Sequence, residues 1–91
     1  MADRLENTVL EIRTGLRRMD FDASGEEQAA VEFVRGEALA AGQRVRVPLG
    51  LRDGQLRELI GQPERVKSEA SGKGTTEYRY RLRGVISIAP P

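Results

Sequence analysis

The chain has no cysteine and no histidine among its 91 residues. The lack of cysteine excludes disulfides, iron–sulfur clusters and thiol nucleophiles. The lack of histidine removes the commonest general base and the commonest transition-metal ligand, so neither a Ser–His–Asp nor a Cys–His arrangement can form within the chain. We therefore predict a protein that is not an enzyme and that holds no cofactor and no metal ion.

Long hydrophobic runs are lacking as well. The first 15 residues carry a charge every few positions and have no uninterrupted apolar core of the kind found in signal peptides. No stretch approaches the roughly 20 apolar residues that a membrane span needs. We therefore expect a cytoplasmic protein, or one inside a virion or other particle assembled in the cytoplasm, with no membrane partner.

Aromatic and hydrophobic residues are scarce, at 4% and 38% of the chain. One domain of this length can fold alone, but a core so small leaves a thin margin of stability. Docking on a larger protein, or assembly of several copies, would bury additional surface.

Arginine supplies thirteen of the fifteen cations, and the formal net charge of +1 hides an asymmetry. Residues 1–45 have a net charge of −3, whereas residues 46–91 have a net charge of +4. Such a division predicts either two halves that face each other or a basic half that faces a partner.

The N-terminal segment has the apolar spacing of an amphipathic helix. Intervals of four and three residues predict a helix from Asp3 to Met19, with a strand from Thr8 to Arg13 as the alternative. The apolar stripe consists of Leu5, Val9, Ile12, Leu16 and Met19.

A second helix is predicted to begin at Ser24 and to end before Gly42. Ser24 and Glu27 have the spacing of a capping box, and glycine is a common residue at a helix end. An internal glycine weakens this helix and leaves a strand from Ala29 to Arg35 as the alternative.

Residues 44–49 alternate between basic and apolar side chains, which predicts a strand. Pro48 indicates that this strand lies at a sheet edge or is ending. Asp53 is a good helix cap, so a short helix is predicted over residues 53–60, ended by Gly61 and Pro63.

The C-terminal third is predicted to be a hairpin, with strands over 64–70 and 75–88 joined by a glycine-rich loop. A helix over 63–71 is the alternative. The clearest strand runs from Tyr78 to Ile88 and has two different faces. Its apolar face consists of Tyr78, Tyr80, Leu82, Ile86 and Ile88, and its basic face of Arg79, Arg81 and Arg83.

These elements predict a single α+β domain, mainly helical over residues 1–42 and β-rich over residues 43–89. Two N-terminal helices would pack on a small, mainly antiparallel sheet, with a short third helix and a C-terminal hairpin.

The arginine row is the candidate partner-binding site. If the strand at 44–49 shares its face, five guanidinium groups form one patch, which Lys73 at the hairpin tip could extend; the set is Arg44, Arg46, Lys73, Arg79, Arg81 and Arg83. Guanidinium forks match the geometry of carboxylates and phosphates. The alternative is an ordinary solvated sheet face.

Two short patterns do not match the motifs they resemble in part. The segment Ser71 to Thr75 lacks the glycine and hydroxyl positions of a phosphate-binding loop. The segment that begins at Asp20 and Asp22 starts like a calcium loop, but Val31 stands where the closing glutamate belongs. A carboxylate-dependent metal enzyme is therefore the weakest of the hypotheses.

The stretch Asp53-Gly54-Gln55-Leu56-Arg57-Glu58-Leu59-Ile60-Gly61-Gln62-Pro63, followed by Glu77-Tyr78-Arg79-Tyr80, is similar to a pattern in small outer-membrane assembly lipoproteins. That resemblance implies a short helix followed by a hairpin, although the lipidated cysteine of those proteins is missing. The same region also resembles part of a winged helix–turn–helix domain, with a first helix at 56–61 and a recognition helix at 63–71. This second resemblance implies DNA binding.

We therefore predict a non-enzymatic protein-interaction or assembly module, such as a small phage or bacterial structural subunit or an inhibitor. It would dock on a larger protein, or on further copies of itself, through the basic sheet face. A DNA-binding regulator of the winged-helix type is the alternative.

Overall fold

A computed structural model describes residues 8–22, 27–70 and 74–90, with residues 67–70 described by their backbone alone. These residues form eight β-strands and no helix. The first sheet has the strand order β1-β4-β5-β8 and the second the order β2-β3-β7-β6. The strands are β1 (Val9–Glu11), β2 (Leu16–Asp22), β3 (Gln28–Arg35), β4 (Arg44–Arg52), β5 (Gln55–Gly61), β6 (Glu64–Ala70), β7 (Thr76–Val85) and β8 (Ser87–Ile88).

The two sheets share corners because three stretches of chain leave one sheet and enter the other. These stretches are β1 with β2, β5 with β6, and β7 with β8. Each of them, like β3 and β4, pairs with two neighbours, so the described strands close into a five-stranded barrel. All the pairings are antiparallel except that of β1 with β4.

The core lies between the inner faces of the two sheets. Alternate residues of β3 and β7 meet alternate residues of β4 and β5 there, as expected for strands with one buried face. The rings of Phe33 and Tyr80 stack with their centroids 5.5 Å apart. Fully burying each large apolar side chain stabilises the fold by about 1.5–3 kcal/mol. The largest fully buried side chains are Phe33, Leu59, Val31, Val45 and Val47.

The predicted first helix is wrong over the described residues, which form β1 and β2 instead. The helix-like spacing of Leu16 and Met19 has a local cause. A bulge between Leu16 and Arg18 adds one residue to β2, so Leu16 and Met19 face the same side although they are three positions apart. The part of this prediction before Thr8 lies outside the described residues.

The predicted second helix is also wrong, and the alternative strand is confirmed. Residues 28–35 form β3, whose buried residues Ala29, Val31 and Phe33 follow the two-residue period of a strand. The capping residue Ser24 of the predicted helix lies outside the described residues.

The short helix predicted over residues 53–60 is the third correction. Asp53 and Gly54 have positive φ angles of 54° and 78°, and they form a two-residue turn between β4 and β5. Positive φ at both positions is the signature of a type I′ hairpin turn, for which Asp-Gly is a preferred sequence. Both family resemblances required a helix in this region, so neither fits the fold.

The hairpin prediction for the C-terminal third is confirmed, since β6 pairs with β7 over the range predicted as strands. The recognition helix of the winged-helix alternative is therefore absent from residues 64–70. The strand predicted at 44–49 is confirmed as well and continues to Arg52. Pro48 pairs with β5 on one side, whereas on its other side the pairing with β1 has already ended.

The fold class of the described residues is thus mostly β, and the α+β prediction is wrong. The described residues include no helix of the length and apolar character that crossing a membrane requires.

Candidate interaction surface

The arginine row of β7 lies on the outer face of the second sheet. The opposite side of the strand carries Tyr80 and Leu82, both in the core, so the predicted separation of faces holds at the centre of the strand. The prediction fails at the C-terminal end, where Ile88 belongs to β8 and is 57% exposed.

The other predicted cations do not join this row. Val45 and Val47 of β4 face the core. Because side chains alternate along a strand, Arg44 and Arg46 lie on the outer face of the first sheet. Lys73 lies outside the described residues. The fold therefore separates the arginines of β4 from those of β7 instead of gathering them into one basic patch.

Glu32 pairs with two of the three arginines of the β7 row. It lies opposite Arg81 in the register of β3 and β7 and accepts hydrogen bonds from Arg81 Nη2 at 3.0 Å and Nε at 3.3 Å. Arg79 Nη1 lies 3.4 Å from the other carboxylate oxygen. The hydrogen bonds from Arg81, with those from Arg79 and despite partial desolvation, hold the pKa of Glu32 below its ordinary value.

The remaining charges of this outer face are also mixed. On β2, Arg18 Nε donates to Asp20 at 2.8 Å. Arg83 is exposed and has no ion pair within the part of the chain that the structure describes. A face that carries both acids and bases is typical of the solvated side of an antiparallel sheet.

Arg46 is tied to a carboxylate on its own sheet. Its Nε lies 3.2 Å from Glu58 Oε1, and the side chain of Glu58 is only 5% exposed. This Nε is buried and makes no hydrogen bond of good geometry. Since a buried carboxylate without a counter-ion would be costly, Arg46 has a structural role.

Sequence reasoning missed a surface at one end of the barrel, which we call the apolar end. It is formed by three apolar side chains that the core does not cover and that line one cleft beside the β4–β5 turn: Leu51, Leu56 and Ile88. The exposed fraction is 74% for Leu51, 57% for Ile88 and 39% for Leu56. An exposed group of this kind is more informative than single exposed apolar residues, which every protein has.

Strand pairing brings these residues together. Leu51 lies directly opposite Leu56 beside the β4–β5 turn, and β8 joins them through a hydrogen bond from Ala89 N to Leu56 O at 2.8 Å.

Glu27 connects the two sheets at the apolar end. Its backbone oxygen accepts a hydrogen bond from Ile86 N, and its Oε1 accepts from Arg52 Nη1 at 2.7 Å and also from Arg57 Nη2. A cleft of about 250 Å³ opens beside this group and is lined by Arg52, Asp53, Arg57 and Ile88 among others. Two arginines and two acids make the cleft electrically balanced.

Carboxylates that could hold a metal ion are not gathered in the described part of the chain, where no three acidic side chains come together. Asp20, the first residue of the calcium-like fragment, is paired with Arg18 instead.

Comparisons with protein-family models, with curated proteins and with solved structures find no match for this chain. What the protein does must therefore be inferred from its own surfaces.

Proposed function

We propose that this chain is a non-enzymatic protein-interaction module that docks on another protein through the apolar end. The observation that carries the proposal is the clustering of Leu51, Leu56 and Ile88, all exposed, beside one hairpin turn. Apolar patches rimmed by charged residues typically mark protein–protein contacts, because burying them removes apolar surface from water.

The surface at this end fits one kind of partner. The exposed apolar residues lie beside a cleft that is lined by Arg52, Asp53 and Glu27. A complementary partner presents apolar side chains next to charges of both signs.

The charge distribution is the reason for moving the proposed contact away from the arginine face. Two of the three arginines of β7 already share Glu32, and Arg46 is held by Glu58. Nucleic-acid binding depends on a concentrated basic surface that displaces counter-ions from phosphates. Neither outer sheet face offers such a surface in the described residues. As expected from the sequence, we place the module in the cytoplasm or in a particle assembled there.

Site-specific photo-crosslinking in the cells that encode the protein tests this proposal. A photoreactive phenylalanine analogue is placed at position 51, and in a matched variant at position 83 on the arginine face. We expect defined covalent protein adducts from position 51 that disappear when Leu56→Asp is added, because the aspartate would put a charge into the apolar contact. Adducts from position 83 alone, or from neither position, would contradict the proposal.

A further inference from the structure

We propose that the other end of the barrel holds a binding site for a small organic carboxylate that also carries an N–H group. A cleft of about 290 Å³ opens there, between the segment before β4 and the connection from β5 to β6. Its polar lining includes the side chains of Gln43, Arg65 and Tyr80. The cleft lies at the opposite end of β4 and β5 from the apolar end, so the site is independent of the proposed function.

Arg65 supplies a positive charge on the inner side of the barrel mouth. It lies directly opposite Tyr80 in the register of β6 and β7, and residues paired in this way share one face of a sheet. Since Tyr80 belongs to the core, Arg65 faces the same way, and its guanidinium carbon lies 5.7 Å from the centroid of the Tyr78 ring. No residue in the described part of the chain forms an ion pair with Arg65, so its N–H donors are open to a ligand.

The Tyr80 hydroxyl is a second donor at this cleft. The residue is only 5% exposed, and its hydroxyl oxygen accepts the hydrogen bond of Leu39 N at 2.8 Å. A hydroxyl group can donate as well as accept, and no acceptor for the Tyr80 hydrogen lies among the described residues. A buried donor without an acceptor costs free energy. A carboxylate oxygen bound in the cleft would supply that acceptor.

Gln43 places an acceptor beside these two donors. The residue is buried, and its Nε2 donates to Thr8 O at 2.9 Å and to Arg44 O at 2.8 Å. These two hydrogen bonds engage both hydrogens of the amide and fix its orientation, so the acceptor Oε1 remains. This oxygen accepts no hydrogen bond from the residues that the structure describes. An N–H group of a ligand would fill the vacant position.

The three groups together define the class of ligand. A guanidinium group and a hydroxyl group suit a carboxylate, which accepts two hydrogen bonds at once from an arginine. The rest of the cleft is lined mainly by small or apolar residues, among them Leu39, Ala40 and Pro63, which favour an apolar body. Since ligand pockets usually measure about 300–1,000 Å³, the cleft suits a ligand no larger than one ring and a short chain.

Benzoylglycine is a suitable probe, because it joins a carboxylate, an N–H group and a phenyl ring. Its titration into the full ¹⁵N-labelled chain is followed in ¹H–¹⁵N correlation spectra at constant pH and salt concentration. We expect saturable shifts for the amides of Leu39, Gly42 and Arg65, with a dissociation constant of about 1 mM for a ligand of this size. The amides of Leu51 and Arg83 should not move.

Two matched comparisons test the role of charge. Arg65→Gln should weaken the binding of benzoylglycine at least about tenfold, because the variant loses the charge-assisted hydrogen bonds to the carboxylate. The control Arg83→Gln, on the outer face, should leave the dissociation constant within about twofold. Benzoylglycinamide, which lacks the negative charge, should bind to the wild-type chain at least about tenfold more weakly. The spectrum of each free variant shows whether the fold is retained.

The same experiment can overturn the site in three ways. These are the lack of saturable shifts up to about 20 mM benzoylglycine, equal binding of the uncharged amide, and undiminished binding by Arg65→Gln. None of these results affects the photo-crosslinking expected at position 51. The carboxylate site and the protein-interaction module therefore stand or fall separately.

Discussion

Single residues decide which charges of this protein are available to a partner. The sequence predicts a free basic face formed by Arg79, Arg81 and Arg83. In the fold, Glu32 of the neighbouring strand accepts hydrogen bonds from two of the three. The sequence could predict that the arginines share a face, since alternation fixes it. It could not predict their pairing, which depends on the register between β3 and β7.

The pH dependence of stability should report the Glu32 contacts. The hydrogen bonds of Arg81 hold the pKa of Glu32 below its ordinary value of 4.5, so the unfolded chain takes up this proton before the folded chain does. The contribution of Glu32 is therefore present above 4.5 and is lost as the pH falls through the folded pKa. In urea unfolding, Glu32→Gln should flatten the loss of stability below pH 5 relative to wild type. The exposed control Glu37→Gln should follow wild type; equal curves for all three would contradict the assignment.

Gly15 makes the closest backbone approach in the crossing from β1 to β2. Its φ is +79°, its carbonyl oxygen accepts a hydrogen bond from Val34 N, and a Cβ atom there would lie 2.3 Å from Val34 O. Gly15→Ala should therefore lower the free energy of unfolding by at least about 2 kcal/mol, because left-handed strain and a backbone clash add together.

The matched control for Gly15 is Gly36→Ala, since a Cβ atom at position 36 meets nothing within 4 Å and φ is not positive there. Its effect should stay within about 0.5 kcal/mol in the same urea titration. If both variants lost similar amounts of unfolding free energy, the close approach of Gly15 to the Val34 backbone would be contradicted.

At the level of elements, the sequence predicted strands well where two-residue alternation is uninterrupted. Residues 44–49 and the centre of β7 are examples. It failed where a bulge changes the spacing, as at Leu16 and Met19, because one extra residue makes a strand look helical. It failed also at Asp53-Gly54, where a helix cap and a hairpin turn use the same residue types. The strand-like residues on both sides of that dipeptide could have indicated a hairpin turn.

The apolar end was missed for a related reason. The sequence prediction places Ile88 on the apolar face of the C-terminal strand and Leu56 within the helix over residues 53–60. Whether a particular apolar residue is covered depends on where the opposite sheet ends, which a single sequence does not specify. Because residues 53–60 were predicted to be a helix, the sequence did not predict a turn between β4 and β5.

Tyr80 links the core to the connection between β3 and β4. Its ring stacks on Phe33, and its hydroxyl oxygen accepts a hydrogen bond from Leu39 N at 2.8 Å. Tyr80→Phe should keep the stack, leave this amide without its partner, and cost about 1–3 kcal/mol of stability.

Hydrogen exchange of the Leu39 amide measures the same contact locally and should become faster in Tyr80→Phe. The control Tyr78→Phe removes a hydroxyl from the same strand face, where the ring contacts Arg65. It should leave exchange at Leu39 unchanged. Unchanged exchange in both variants would contradict the role given to Tyr80.

At the level of the whole molecule, closure of the strands into a barrel explains why binding is proposed at an end. Closed strands leave short unpaired edges, so addition of a partner strand is less available than in an open sheet. In the described part of the chain, the outer faces of both sheets carry acids and bases side by side, and several of them are paired with one another. The end formed by the β4–β5 turn and β8 is where Leu51, Leu56 and Ile88 are exposed together.

The central claim is that the apolar end, and not the arginine face, makes the protein–protein contact. The most direct measurement is site-specific photo-crosslinking in the cells that encode the protein, at position 51 and, in a separate variant, at position 83. We predict defined protein adducts from position 51 that Leu56→Asp abolishes, and no such adducts from position 83. Adducts from position 83 alone, or from neither position, would contradict the claim.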